Sequence, residues 1–139
     1  MIILDTNVLS AMMRSVPDRA VAAWLDGQDG DAIWTTSVTV FEIELGIAQL
    51  ASGRKRRQLE IGFSRLLDDD LQGRVLAFDL SAARAAAALA AERERVGRPV
   101  DVRDTQIAGI AVAHRAAIAT RNVRHFNDLA VPLVNPWSV

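Results

Sequence analysis

Three acids sit where a folded chain could bring them together: Asp5 at the end of the apolar run Ile2-Ile3-Leu4, Glu42 inside a helical stretch, and Asp104 just ahead of Ile107 and Ile110. Carboxylates held about 4 Å apart repel by roughly 4 kcal/mol per pair at an effective dielectric near 20, so such a cluster requires protonation or a cation. A hard divalent ion, magnesium or manganese, takes oxygen ligands and keeps several waters. It can lower the pKa of a bound water and offset the charge of a phosphodiester. The corresponding reaction is phosphodiester hydrolysis. Taken singly, each acid has an ordinary role: Asp5 as a helix N-cap, Glu42 as a solvated helix-face residue, and Asp104 as the third position of a helix capped by Asp101. Their joint placement is what carries the chemical reading.

The elements that must position them can be read from periodicity. Ile2 to Asp5 predicts a buried parallel strand, followed by a helix over Thr6 to Met13 and a second opened by Pro17-Asp18 that stops near Gly27. Ala32 to Thr36 reads as a strand. Ser37 is placed as the N-cap of a third helix, with Phe41, Leu45 and Ala48 as its inward stripe, which sets Glu42 beside the core and Glu44 towards solvent. A fourth helix runs from Arg54 to about Asp70 on Leu59, Phe63, Leu66 and Leu67. Arg74 to Phe78 is a strand, Ser81 caps an alanine-rich helix to Val96, and Gly97-Arg98-Pro99 breaks it. A last helix through Ile107 is followed by strands Ala117 to Thr120 and Val131 to Val134. Strands separated by helices and buried on both faces predict an α/β fold with a mostly parallel sheet of four to five strands. Ligands in such folds bind beyond the strand carboxyl ends, which singles out Asp5 and Thr120-Arg121-Asn122.

Composition narrows the alternatives. The 139 residues fit one domain spanning 1–139, half of them are apolar and 24% are charged, which is a globular balance rather than a disordered one. The longest apolar or glycine runs are seven residues, far below a membrane span, and the start Met1-Ile2-Ile3-Leu4-Asp5 lacks a basic leader, so the expected location is the cytoplasm. With no cysteine and two histidines, thiolate sites and three-histidine sites are excluded, and any metal must rest on carboxylates. His114 and His125 read as ordinary polar residues, Met12 and Met13 as core, and Asp68-Asp69-Asp70 as a solvated helix end. Net charge is −1, yet residues 93–125 carry seven arginines against three acids, and Arg54-Lys55-Arg56-Arg57 forms a second basic cluster. Arginine suits bidentate phosphate contacts.

The stretches Ile2 to Ser10, Ser37 to Gly46, Asp104 to Ala111, Thr120 to Phe126 and Asn135-Pro136-Trp137 together resemble the PIN-domain ribonucleases. Within them, the VapC-like toxins of type II toxin–antitoxin systems are the most similar, in particular the FitB-like branch. The resemblance covers essentially the whole chain and implies a three-layer α/β/α fold and a metal-dependent endoribonuclease. It implies Mg²⁺ or Mn²⁺ on Asp5, Glu42 and Asp104, with Thr6, Asn7 and Thr120 in support and Arg121 and Arg124 on the RNA backbone. Where the family often has a fourth acid this chain has Asn122, which removes one negative charge and weakens any second metal position. Homodimerisation, a higher toxin–antitoxin assembly and neutralisation by a VapB/FitA-like antitoxin that alone contacts DNA are also implied; no membrane is involved. The alternative is a catalytically degenerate PIN-like module that binds protein or nucleic acid. A phosphatase of small substrates fits less well, because arginines flank the acids without a closed phosphate pocket.

Overall fold

The computed structural model describes residues 1–139. Five strands, β1 (Ile2–Leu4), β2 (Ile33–Thr36), β3 (Val75–Leu76), β4 (Ala117–Ala119) and β5 (Leu133–Val134), form one sheet in the order β3-β2-β1-β4-β5, and every neighbouring pair is parallel. Six helices connect them: α1 (Thr6–Met12), α2 (Arg19–Asp26), α3 (Ser37–Ala48), α4 (Arg54–Arg65), α5 (Leu80–Arg95) and α6 (Val102–His114). The expected α/β architecture with a parallel sheet is what forms.

Parallel strands need cover on both faces, and the side-chain alternation of β1 supplies it. Leu4 joins an apolar cluster with Val8 and Leu9 of α1, Val21 of α2, Ile43 and Ile47 of α3 and Phe63 of α4. Ile3 faces the other way, into a cluster built on Ala82 of α5 and Ile107, Ile110 and Ala111 of α6. The alanines of α5 permit close approach to α6. A Cβ added at Gly109 would lie 2.6 Å from the carbonyl oxygen of Ala82 and 2.6 Å from the Ala86 Cβ. No helix is long and apolar enough to cross a membrane.

The sheet also fixes the place of the site. From β1 the chain proceeds outward through β2 to β3, then returns to the opposite side for β4 and β5. The strand order therefore reverses between β1 and β4, and a crevice opens beyond their carboxyl ends.

Several local expectations are corrected. Thr36, not Ser37, caps α3: its backbone is still extended and its hydroxyl accepts the Thr39 N–H at 3.1 Å, because β2 runs into the helix without a loop. Ser37 instead accepts the Phe78 N–H at 3.0 Å, tying α3 to the exit of β3. Asp79, not Ser81, caps α5, accepting the Ala82 N–H at 3.0 Å. The inward face of α3 is Val38, Thr39, Ile43 and Ile47, whereas Phe41 is 54% exposed. This helix is apolar on nearly all sides, so spacing alone does not select a face. The helix expected to reach Asp70 ends as α4 at Arg65 and continues as one wide π turn, Leu66–Asp70, whose three aspartates are exposed. Met12 and Met13 are only partly buried, packing at the margin of the first cluster.

Candidate active-site cleft

Asp5 is the residue at which β1 stops and α1 begins. Its backbone is extended, and one carboxylate oxygen accepts the Thr6 N–H at 2.8 Å, so the capping role is real. The other oxygen accepts the Thr120 hydroxyl at 2.8 Å and the Asn7 side-chain amide at 3.2 Å. Thr120 follows β4, so this bond spans the strand-order switch. Asp5 is 3% exposed, and burial pushes its carboxyl above the usual carboxylate range, with the charge of Asp104 adding to the effect.

Glu42 enters from the second turn of α3. The Thr6 hydroxyl donates to its Oε1 at 2.9 Å, and Arg103 Nη1 lies 3.9 Å from its Oε2. Thr6 Oγ1 is also 3.2 Å from Thr39 Oγ1, which is 3.3 Å from Thr36 Oγ1. Since a hydroxyl has one proton and the carboxylate has none, a consistent chain runs Thr36 to Thr39 to Thr6 to Glu42. Burial raises the Glu42 carboxyl too, with the charges of Asp5 and Asp104 adding to it against Thr6 and Arg103.

Asp104 is the third residue of α6, and Asp101 is its N-cap, as the spacing predicts. The Asp104 Oδ2 lies 2.7 Å from His125 Nδ1. Sequence reasoning missed this histidine, and the cause lies elsewhere in the fold. Arg93, 3% exposed, grips Asp128 through two nitrogens at 2.8 and 2.9 Å and donates to the His125 carbonyl at 2.7 Å and the Thr105 hydroxyl at 2.9 Å. This buried guanidinium fastens the segment after β4 onto α6 and so brings the imidazole to Asp104. A polar motif within an alanine-rich helix gave no sign of that burial.

All three acids line one cleft of about 390 Å³, together with Thr6, Asn7, Ser10, Arg14, Arg121, Asn122 and Trp137. Asn7 accepts the Arg121 backbone N–H at 3.1 Å, and the Thr120 hydroxyl accepts that of Asn122 at 3.0 Å, which leaves the Asn122 amide free at the rim. Arg124 does not line the cleft. It is exposed in the short 3₁₀ turn Val123–His125, and its carbonyl accepts from Arg98. Sequence reasoning did not place Arg14 and Trp137 on the cleft wall, nor Arg103 and His125 against Glu42 and Asp104. A larger groove of about 710 Å³, between the end of α1 and α4, shares Ser10 and Arg14 with the cleft and includes Lys55, but it contains no acid. The chemistry-bearing groups are in the smaller one.

The donor set is oxygen-rich and hard, which is the preference of magnesium and manganese rather than of softer metals. No three acid or histidine side chains converge closely enough to form a ready-made three-ligand shell. Magnesium keeps several waters and takes one or two carboxylates directly, so it does not require such a shell. The upward shifts of Asp5 and Glu42 fit as well, because a cation relieves the repulsion that helps cause them.

The family description "PIN domain" matches residues 2–132. The chain is 38% identical over 137 residues to the VapC ribonuclease Y4jK of Sinorhizobium fredii, covering 99% of this chain and 98% of that protein. It is 34% identical over 137 residues to the toxin FitB of Neisseria gonorrhoeae, covering 99% of each. Among solved structures, FitAB bound to an IR36 DNA fragment superposes with a TM-score of 0.89 at 33% identity, over 100% of this chain and 97% of that one.

Proposed function

The chain belongs to the PIN-domain family, and from that premise we propose that it is a metal-dependent endoribonuclease, the toxin of a type II toxin–antitoxin pair. The observation that carries the reading is the convergence of Asp5, Glu42 and Asp104, from three different elements, on one cleft at the strand-order switch. Residues 1–139 act as a single PIN domain working in the cytoplasm. The partner is an antitoxin, the kind of protein found with FitB and VapC in their complexes, and contact with DNA runs through it. The toxin itself pairs as a homodimer.

Asp5, Glu42 and Asp104 would hold Mg²⁺ or Mn²⁺, which when bound supplies the positive charge that acidifies a water and offsets the charge of the phosphodiester. The chain's own residues do the rest. Thr120, Asn7 and the Thr6 N–H fix both oxygens of Asp5, so its carboxylate is oriented before any ligand arrives. The Thr6 hydroxyl holds Glu42 at the same edge, and His125 fixes one oxygen of Asp104 and leaves the other free. Asn122 offers an amide oxygen that can position a water, but its neutrality limits the site to one strongly held ion. Arg121 and Arg14, on the cleft wall, are placed to meet phosphate oxygens of the substrate strand, with Arg124 as an outlying contact.

The test is cleavage of a mixed tRNA and ribosomal RNA pool by antitoxin-free protein, with Mg²⁺ or Mn²⁺, with chelator, and beside Asp104→Asn. Discrete cuts lost in both controls are expected, with the variant retaining its melting transition. An Asp104→Asn protein that cleaves normally refutes the assignment. Metal-free, RNA-binding but uncleaving wild-type protein would instead establish the degenerate binding module, the reading that Asn122 favours.

A further inference from the structure

Trp137 is held through both its ring and its backbone. Its indole N–H donates to Asp18 Oδ2 at 3.1 Å, and its backbone N–H donates to Asn135 Oδ1 at 3.0 Å. Asp18 is itself fixed, since its other oxygen caps α2 through the N–H groups of Ala20 and Val21. The ring is partly exposed and lines the acidic cleft. Over it, with the guanidinium carbon 4.7 Å from the ring centroid, lies Arg121, whose backbone is pinned to Asn7. Arg121 is exposed and pairs with no carboxylate, although three acids line the same cleft.

A guanidinium stacked on a fixed indole loses little further freedom when a planar group lies on its outer face. Unpaired nucleobases are the planar groups that accompany a phosphodiester, and they stack on aromatic rings and on arginine planes alike. We propose that Trp137 and Arg121 form a two-layer stacking platform that takes an unpaired nucleobase of the substrate strand beside the scissile phosphate. This deepens the ribonuclease reading and rests on it. A base inside a duplex is already stacked on both sides, so the platform selects for splayed, single-stranded RNA. It is tolerant of base identity, since every base has a π face and neither residue reads a base edge here.

A charge contact and a stacking contact are separable. Binding to the full-length Asp104→Asn protein is measured for a short single-stranded oligoadenylate and for a strand of equal length and charge whose riboses carry no bases. The platform predicts that the base-bearing strand binds tighter by roughly 5- to 150-fold, the range of one stacked base. Adding Arg121→Lys, which keeps the charge and loses the plane, abolishes that preference, read as the ratio of the two affinities, while any loss of its phosphate contact weakens both strands alike. Trp137→Leu does the same and Trp137→Phe restores part of it, while Asp18→Asn reports what the indole anchor alone contributes. Should Trp137→Leu fail to fold, the exposed Arg121→Lys still decides. A base preference that survives Arg121→Lys overturns the platform and leaves the nuclease standing. Absence of binding to either strand, with no RNA cleavage by the wild-type chain, overturns both.

Discussion

Burial of Asp5 and Glu42 beside a third acid gives the metal-free chain a definite response to pH. Both carboxyls stand above their unfolded values of 3.8 and 4.5, so between the unfolded and the raised values the folded form holds protons that the unfolded chain has released. Stability therefore falls as pH rises through that window. Asp128, lowered chiefly by its hydrogen bonds from Arg93, works in the opposite sense, but only below the ordinary carboxylate range, where its contribution is lost as pH falls. Thermal melts in chelator are expected to drop in Tm as pH rises above the ordinary carboxylate values, and Mg²⁺ or Mn²⁺ is expected to restore more of the Tm at the upper end of that fall than at the lower. A chelated protein whose Tm is flat over this range would contradict the burial of the two acids. The three acids themselves were legible in the sequence, because each stands where an apolar strand ends or near where a helix begins. His125 was not, since what delivers it is the Arg93–Asp128 pair, 35 positions apart in the chain and silent in any local pattern. Trp137 was visible as part of a terminal motif, but its place in the cleft depends on Asp18, 119 positions away.

At the scale of elements, the seam between α5 and α6 is set by small residues. Ala82 and Ala86 leave room for Gly109, and a methyl group there would press on the Ala82 carbonyl oxygen and the Ala86 backbone nitrogen, neither of which can swing aside. Gly109→Ala is expected to cost about 2–3 kcal/mol of stability, read from urea denaturation, because the two helices must separate to admit it. Loss of α6 registry would also shift Asp104, so cleavage should fall in step. A variant as stable as the parent would show that the seam is looser than the geometry gives. Helix and strand identities followed from periodicity and turn residues, whereas the caps of α3 and α5 did not. Two competent hydroxyl or carboxyl acceptors stood near each start, and the choice depended on where the preceding extended backbone ends. The inward face of α3 was illegible for a different reason: Phe41, Leu45 and Ala48 are spaced as well as Val38, Ile43 and Ile47, and only the neighbouring layers decide between them. Phe41, left outside, carries the Arg103 guanidinium 5.1 Å from its ring centre and so steadies the cation that faces Glu42.

For the whole molecule, the sheet is a shared wall between two apolar clusters, with Ile3 and Ile118 facing one and Leu4 and Ala119 facing the other. Neither cluster can be lost without removing the support of the other. Far-UV dichroism, tryptophan fluorescence and residual cleavage activity are therefore expected to follow a single denaturation curve, Trp24 and Trp137 reporting on one cluster and Trp34 on the second. Separated transitions would mean that the two layers fold apart. The layered architecture was readable from alternating strands and helices, but the strand order was not, because pairing partners in a parallel sheet leave no local mark. That order has a consequence during synthesis. The central strand, β1, leaves the ribosome first, yet the strand that completes its pairing on one side, β4, is made more than a hundred residues later. Asp104 and Thr120 emerge late as well. On the proposed assignment of the site, a nascent or prematurely terminated chain lacks part of the catalytic set, and hydrolytic power arises only once translation has passed β4.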